Sequence, residues 1–308
     1  MDDLQLLVDL HQEGSRQGPG GRDETRLAVT LSGLRAAANL EIADLGCGTG
    51  ASTIVLAGEL DANITAVDLI PEFLTQLDDI ASRAGIAERI TTVAASMDTL
   101  PFEEAAFDAI WSEGAIYNLG FAAGIEAWRR YLKPNGILAV SELTWLTDGR
   151  PTALQAHWDH EYPEVDTASA KLAILERHGF SPVGYFPLPE YCWLDNYYRP
   201  LQERFSAFLD RHEHSEAAQA IVAAEEREIA LYEEHRALSA MVFTLRAGPM
   251  SGLRKCDRAA ASKLAQWARQ SVHIMPFAVS SWRRLNSGSM PVITASTHSG
   301  RKLSPAGC

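Results

Sequence analysis

Five carboxylates stand at matching places along this chain, each beside a short apolar run. Asp44 lies near the end of residues 40–45, Asp68 closes 63–68, Asp98 follows 89–95, Glu113 follows 107–112 and Glu142 closes 137–142. A carboxylate offers two acceptor oxygens, enough for a diol, an ammonium group or an amino-bearing base. Directly after Asp44 come Gly46, Gly48 and Gly50, and then a helical pattern over 51–60. A strand turning sharply into a helix gathers free backbone N–H groups and the positive end of the helix dipole at one spot. Glycines there tolerate positive φ and let a ligand approach the backbone. One acid at a strand end is often only a cap for the next helix; five placed alike are harder to explain so.

The acids can act together only if the elements bring them to one edge. Apolar runs at 40–45, 63–68, 89–95, 107–112 and 137–142 alternate with helical patterns at 51–60, from Pro71 to 83, and at 121–132. Pro71 sits where proline opens a helix, and 134–136, Pro-Asn-Gly, marks a turn. The alternation predicts an α/β, doubly wound, mostly parallel sheet covered by helices on both faces. Right-handed crossovers place the carboxyl ends of such strands on one rim, where ligands bind. Upstream, a short helix over 1–12, a turn-rich stretch around Arg16 and Gln17, and a helix from an Asp23 cap to 37 are expected. Downstream, 167–178 reads as a helix, 182–187 as an edge strand, 190–236 as a helical insertion and 240–245 as a last strand.

Composition bounds the partners. The 308 residues carry a formal charge of −13. Residues 249–308 hold nine Lys or Arg against the single acid Asp257, so residues 1–248 hold 18 basic and 39 acidic side chains. A body that acidic repels a phosphate backbone and argues against nucleic acid; it suits a small or cationic substrate. The basic tail shows little period apart from 259–271 and is expected to be disordered. No apolar run reaches a membrane span, the start Met-Asp-Asp-Leu-Gln lacks a basic leader, and Cys47, Cys192, Cys256 and Cys308 have neither disulfide nor zinc spacing. A cytoplasmic protein without membrane partner is expected; its oligomeric state stays open, with a homodimer among the options.

The glycine turn also fits a dinucleotide fingerprint through Gly46, Gly48 and Ala51, which keeps an NAD(P)-dependent oxidoreductase as an alternative. The third glycine and the acid at Asp44 count against it. A pyrophosphate gains nothing from a nearby carboxylate, whereas a cationic amino-acid tail does. A protein that holds such a cofactor without turnover is a further alternative.

Taken together, Asp44-Leu-Gly-Cys-Gly-Thr-Gly50, Asp68, Met97-Asp98, Phe107-Asp108-Ala-Ile-Trp-Ser112 and Leu132-Lys-Pro-Asn-Gly136 resemble the class I, Rossmann-like S-adenosylmethionine-dependent methyltransferases. The likeness covers about residues 22–188, and 240–245 as a reversed seventh strand. Residues 12–20 and 111–118 resemble a bacterial small-molecule subgroup. The resemblance implies a seven-stranded sheet and S-adenosylmethionine as cofactor. Gly46, Gly48 and Gly50 would pass under it, Asp44 would face its amino-acid end, and Asp68, beside Leu69, would hold the ribose. Met97 would pack on the adenine, Asp98 would accept from its amino group, and Ser112 and Glu113 would flank the methyl group.

Direct displacement needs alignment and exclusion of water rather than a metal; a base matters only for an acceptor that must lose a proton. Glu113, Tyr117, His157 and His160 are the candidates; the two histidines read as surface residues rather than a metal pair, and no metal site is expected. Glu113 has a second reading, as a structural acid paired with Arg16 or Lys133. Arg16, Gln17, Asn118, Trp193, Asn196 and Tyr197 are the candidate substrate contacts. The expected division is a lid at 1–21, the methyltransferase domain at 22–248 and the tail at 249–308.

Overall fold

The computed structural model describes residues 3–248; the expected tail and its helix at 259–271 lie outside them. Two N-terminal helices, α1 (Asp3–His11) and α2 (Arg22–Ser32), precede an alternating core. It runs β1 (Leu40–Leu45), α3 (Ala51–Glu59), β2 (Ala62–Asp68), α4 (Pro71–Ala84), β3 (Ile90–Ala94), β4 (Phe107–Glu113), α5 (Phe121–Trp128) and β5 (Leu132–Trp145). Then come α6 (Thr152–Glu161), the short β6 (Asp166–Thr167), α7 (Ala168–Arg177) and β7 (Ser181–Pro187). The helices α8 (Tyr191–Trp193), α9 (Arg199–Arg211) and α10 (Glu216–His235) lead to β8 (Ser239–Ala247). A π-helical turn, Leu194–Tyr198, joins α8 to α9.

The strands form one sheet in the order β3-β2-β1-β4-β5-β8-β7, with β6 paired to β5. From β3 to β5 the pairing is parallel, and β8 runs antiparallel to both neighbours. The sheet has eight strands rather than seven, because the two residues of β6 bond beside Thr144 and Trp145 of a long β5. The expected edge strand and reversed last strand are β7 and β8.

Period-two alternation divides the core. Leu40 and Ile42 of β1, with Trp111 of β4 and Ala139 of β5, face one cluster that also holds Leu56, Trp193 and Phe208. Ala43 and Leu45, with Ile110 and Leu138, face the other, which holds Ile125, Trp128 and Leu175. Burial on both faces fits near-continuous apolar strands and leaves the rim as the place for polar work.

Two expectations about ends are corrected. The residue capping α2 is Gly21, and Asp23 sits in the first turn. Glu142 does not end β5, which runs on to Trp145. Its side chain is buried against Lys171, Nζ to Oε1 3.1 Å, so it leaves the series of rim acids.

Candidate active site

The turn after β1 is built for close approach. Gly46, Gly48 and Gly50 have φ of +72°, +55° and +89°. A Cβ would lie 2.3 Å from Ala115 Cβ at Gly46 and 2.2 Å from Leu77 Cδ1 at Gly50. Non-glycine residues are strained there. Asp68 fixes the turn from β2: Oδ2 accepts from Gly48 N at 2.8 Å and Oδ1 from Ile70 N at 3.0 Å. Leu69 N–H is a third backbone donor to this carboxylate, whose roughly four acceptor sites still leave room for a ligand. Burial, outweighing these backbone bonds, pushes its carboxyl above the usual range.

Asp44 is fully buried beneath the turn. Its Oδ2 takes Ser52 Oγ and Thr53 Oγ1, each at 2.7 Å, while Oδ1 has no hydrogen-bond partner among the described residues. Two hydroxyls at the start of α3 thus anchor the acid ahead of the glycines, a role sequence reasoning missed although Ser52 and Thr53 directly follow the turn. Burial first, against the bonds from Thr53 and Ser52, pushes the carboxyl up to about 7.

A pH dependence follows. Between the ordinary value near 3.8 and about 7, the folded chain holds a proton that the unfolded chain does not, so this group makes stability fall as pH rises through that window. A cationic ligand group needs the ionised form. Affinity for S-adenosylhomocysteine is therefore expected to rise with pH and level off above about 7. Calorimetric titration across that range checks this, and Asp44→Asn should flatten the profile.

The turn opens onto a cleft that is open to solvent on one side. Gly46, Gly48, Asp68, Leu69, Met97, Glu113, Tyr117 and Asn118 line it, as do Arg16 and Gln17. So do Ala115, from the 111–118 stretch, and Leu4, Ile70 and Phe73, which no motif marked. Leu4 and Phe73 belong to one apolar cluster with Val8 and Ile70, so α1 covers the cleft near the end of β2.

The segment after α1 is fastened over the turn. Gln17 Oε1 accepts from Thr49 N at 2.9 Å, and Gln17 Nε2 donates to Gly14 O at 3.0 Å. Arg16 bonds Glu113 through Nη2. Glu113 Oε1 also accepts from Thr25 Oγ1 at 2.7 Å and Trp111 Nε1 at 3.0 Å. With three donors on its carboxylate, Glu113 follows the structural alternative rather than that of a free base. The ion-paired side chains are 11% and 5% exposed, and breaking one partner of so buried a pair costs about 3–5 kcal/mol.

The remaining expected residues lie elsewhere. Ser112 is buried and donates to Leu45 O at 2.8 Å, tying β4 to β1. Gly50 packs on Leu77 instead of lining the cleft. Asp98 is exposed, and bonds from Ser96 and then Thr99 hold its carboxyl below the usual range. Trp193 and Tyr197 are corrected as substrate contacts: they are buried in the inserted helices, Trp193 stacked on Tyr232 and Tyr197 on His11. Asn196 is corrected likewise, since its Nδ2 donates to Gly20 O at 2.8 Å and ties down the N-terminal segment. His160 is exposed, and His157 lies edge-on to Trp158. Among the described residues no group of three or more His, Cys, Asp or Glu is placed to hold a metal.

A mostly parallel sheet with a reversed strand near one edge, a glycine turn after β1 and an acid at the end of β2 define a Rossmann-like domain. Residues 42–136 match the family model described as a methyltransferase domain. The chain is 34% identical over 120 residues to malonyl-acyl-carrier-protein O-methyltransferase from Herminiimonas arsenicoxydans, covering 39% of this chain and 42% of that protein. The chain spans less than half the length of the first curated relatives it matches, 48% and 42%. Among solved structures, an S-adenosylmethionine-dependent methyltransferase from Thiobacillus denitrificans, in complex with S-adenosyl-L-homocysteine, superposes with a TM-score of 0.66 at 23% identity, over 79% of this chain and 97% of that one. The cyclase SpnF superposes with a TM-score of 0.60 at 21% identity, over 74% and 81%. The fold is therefore shared by proteins of different activity.

The residues present fit the family's cofactor. The buried, unpartnered Oδ1 of Asp44 is an acceptor in want of a donor. The glycine turn brings backbone to the cleft wall, and Asp68 keeps acceptor capacity beside it.

Proposed function

We propose that this chain transfers the methyl group of S-adenosylmethionine to a small-molecule acceptor bound in the same cleft. The observation that carries this reading is the glycine turn held between the buried Asp44 and Asp68, opening on a cleft that the N-terminal segment covers. When bound, the cofactor supplies a methyl group activated on a sulfonium. The protein's part is to hold, orient and keep dry. Asp44 attracts the amino-acid end, Asp68 takes the ribose hydroxyls beside Leu69, and Met97 covers the base with Asp98 at its edge. Gly46 and Gly48 give the backbone room to approach, with Gly50 and Ser112 fixing the turn and strand behind them. Arg16, Gln17, Tyr117 and Asn118 bound the acceptor side, and Glu113 anchors Arg16 there. Residues 1–21 act as the lid on a domain over 22–248.

No helix among the described residues is long and apolar enough to cross a membrane. The cytoplasm as compartment and an acceptor that is neither nucleic acid nor lipid surface belong to the same proposal; they rest on the acidic body and scattered cysteines.

The test is a thermal-shift comparison followed by transfer of a labelled methyl group to an acceptor panel. S-adenosylhomocysteine at about 100 times its Kd should stabilise by about 2.7 kcal/mol, and NAD should give no shift. A shift with NAD alone would overturn the reading in favour of an oxidoreductase. A shift with S-adenosylhomocysteine but no label transfer would favour a protein that holds the cofactor without methylating.

A further inference from the structure

We infer that the acceptor is an uncharged small molecule, offering a hydrogen-bond acceptor to Arg16 and a donor to Asn118; this rests on the methyl-transfer reading above. The ionised side chains lining the cleft, among the described residues, are Arg16, Asp68 and Glu113. Asp68 is bound to the turn by Gly48 and Ile70 and lies at the cofactor end. Arg16 and Glu113 neutralise each other, at 11% and 5% exposure.

A charged acceptor meets a pair that is already neutral. A carboxylate competes with Glu113 for the guanidinium, and an ammonium competes with Arg16 for a carboxylate that three donors already use. Either ligand would add a net charge beside a pair whose side chains are only 11% and 5% exposed, which is unfavourable. The excess of acids over residues 1–248 opposes an anion further.

A neutral oxygen avoids the contest. Arg16 spends one nitrogen on Glu113 and makes no other hydrogen bond among the described residues, so its fork keeps N–H groups for a carbonyl or ether oxygen. On the same wall, Asn118 gives its Nδ2 to Ala115 O at 3.0 Å, while its buried Oδ1 has no partner among the described residues. A hydroxyl or amide N–H on the ligand is the partner this oxygen lacks. Tyr117 and Ala115 also line the cleft.

The experiment uses three phenols of one shape: 4-hydroxyacetophenone, 4-hydroxybenzoate and 4-hydroxybenzylamine. Each is titrated calorimetrically into the full chain saturated with S-adenosylhomocysteine. The ketone is expected to bind ~10-fold or more tightly than either charged analogue. Glu113→Gln leaves Arg16 uncompensated and should shift the preference ~10-fold toward the carboxylate. Arg16→Gln should shift it toward the ammonium, and Arg16→Lys should keep the neutral preference. A merely structural pair would weaken all three ligands together. Preference of the parent chain for a charged analogue, parallel shifts in the two glutamine variants, or no binding by any of the three while S-adenosylhomocysteine still binds would each overturn the inference. If a glutamine variant does not fold, the ranking on the parent chain decides. Loss of S-adenosylhomocysteine binding by the parent chain would instead sink the methyl-transfer reading itself.

Discussion

Asp68→Ala is expected to weaken S-adenosylhomocysteine binding by about 100-fold or more and to lower the melting temperature. Two losses combine. The side chain accepts backbone N–H groups from both Gly48 and Ile70, so its removal frees the turn from β2 and strands two donors. It also removes the acceptor proposed for the ribose. Hydrogen bonds to a charged group contribute about 1.5–3 kcal/mol each, so two of them exceed the roughly 2.8 kcal/mol of a 100-fold change. Titration calorimetry reads the affinity, and circular dichroism on heating reads the fold. Asp98→Ala is the companion: that side chain is exposed and bonds Thr99 beside it, so affinity should fall with little change in melting. Parent-like affinity in a folded Asp68→Ala chain would remove the basis for the proposed cofactor site.

Lys171→Met is expected to cost about 3–5 kcal/mol at neutral pH, because it leaves the buried Glu142 without its counter-charge. For a domain of this size that is a fall of roughly 6–20 °C in melting temperature. Lys171 is 3% and Glu142 1% exposed. The lysine also lies near Tyr162 Oη at 3.5 Å and over the Phe121 and Tyr162 rings at 5.0 and 5.1 Å. Burial raises the Glu142 carboxyl and lowers the Lys171 ammonium, each opposed by the other's charge. With the lysine gone, Glu142 keeps burial and loses that opposition, so its carboxyl rises further. The folded variant then holds a proton the unfolded chain lacks, and its deficit should shrink as pH falls toward the ordinary carboxylate range. Lys171→Met with Glu142→Leu should recover much of the loss, since apolar replacements of a buried pair are often neutral or stabilising. A single variant that melts with the parent at neutral pH would show that the pair is not in the low-dielectric interior its exposure implies.

Much of the site's frame is legible in local sequence. The glycine turn, Asp44 ahead of it and Asp68 at the end of β2 are set by a strand, a turn and a strand within 30 residues, where period and turn chemistry act directly. What local sequence does not carry is the partner of each polar group. Arg16 meets Glu113 97 positions away, and Asn196 meets Gly20 176 away; no spacing rule links them. Glu142 looked like a rim acid because its strand was read three residues short, and Lys171 gave no sign of lying beneath it. The aromatics of 191–198 looked like a pocket by composition alone. Their apolar area is spent between the inserted helices and α1, where burial of rings outweighs a role at the cleft.

The position of β8 also bears on how the chain is made. β7 bonds to β8 alone, and β8 lies between it and β5. During synthesis the amino-terminal strands can pair in turn, yet one long border of β5 stays open until residues 239–247 have left the ribosome. Through that interval the nascent polypeptide carries two unsatisfied strand margins. A pause in translation over α10 would prolong the stage at which a chaperone, or a neighbouring copy, can capture it.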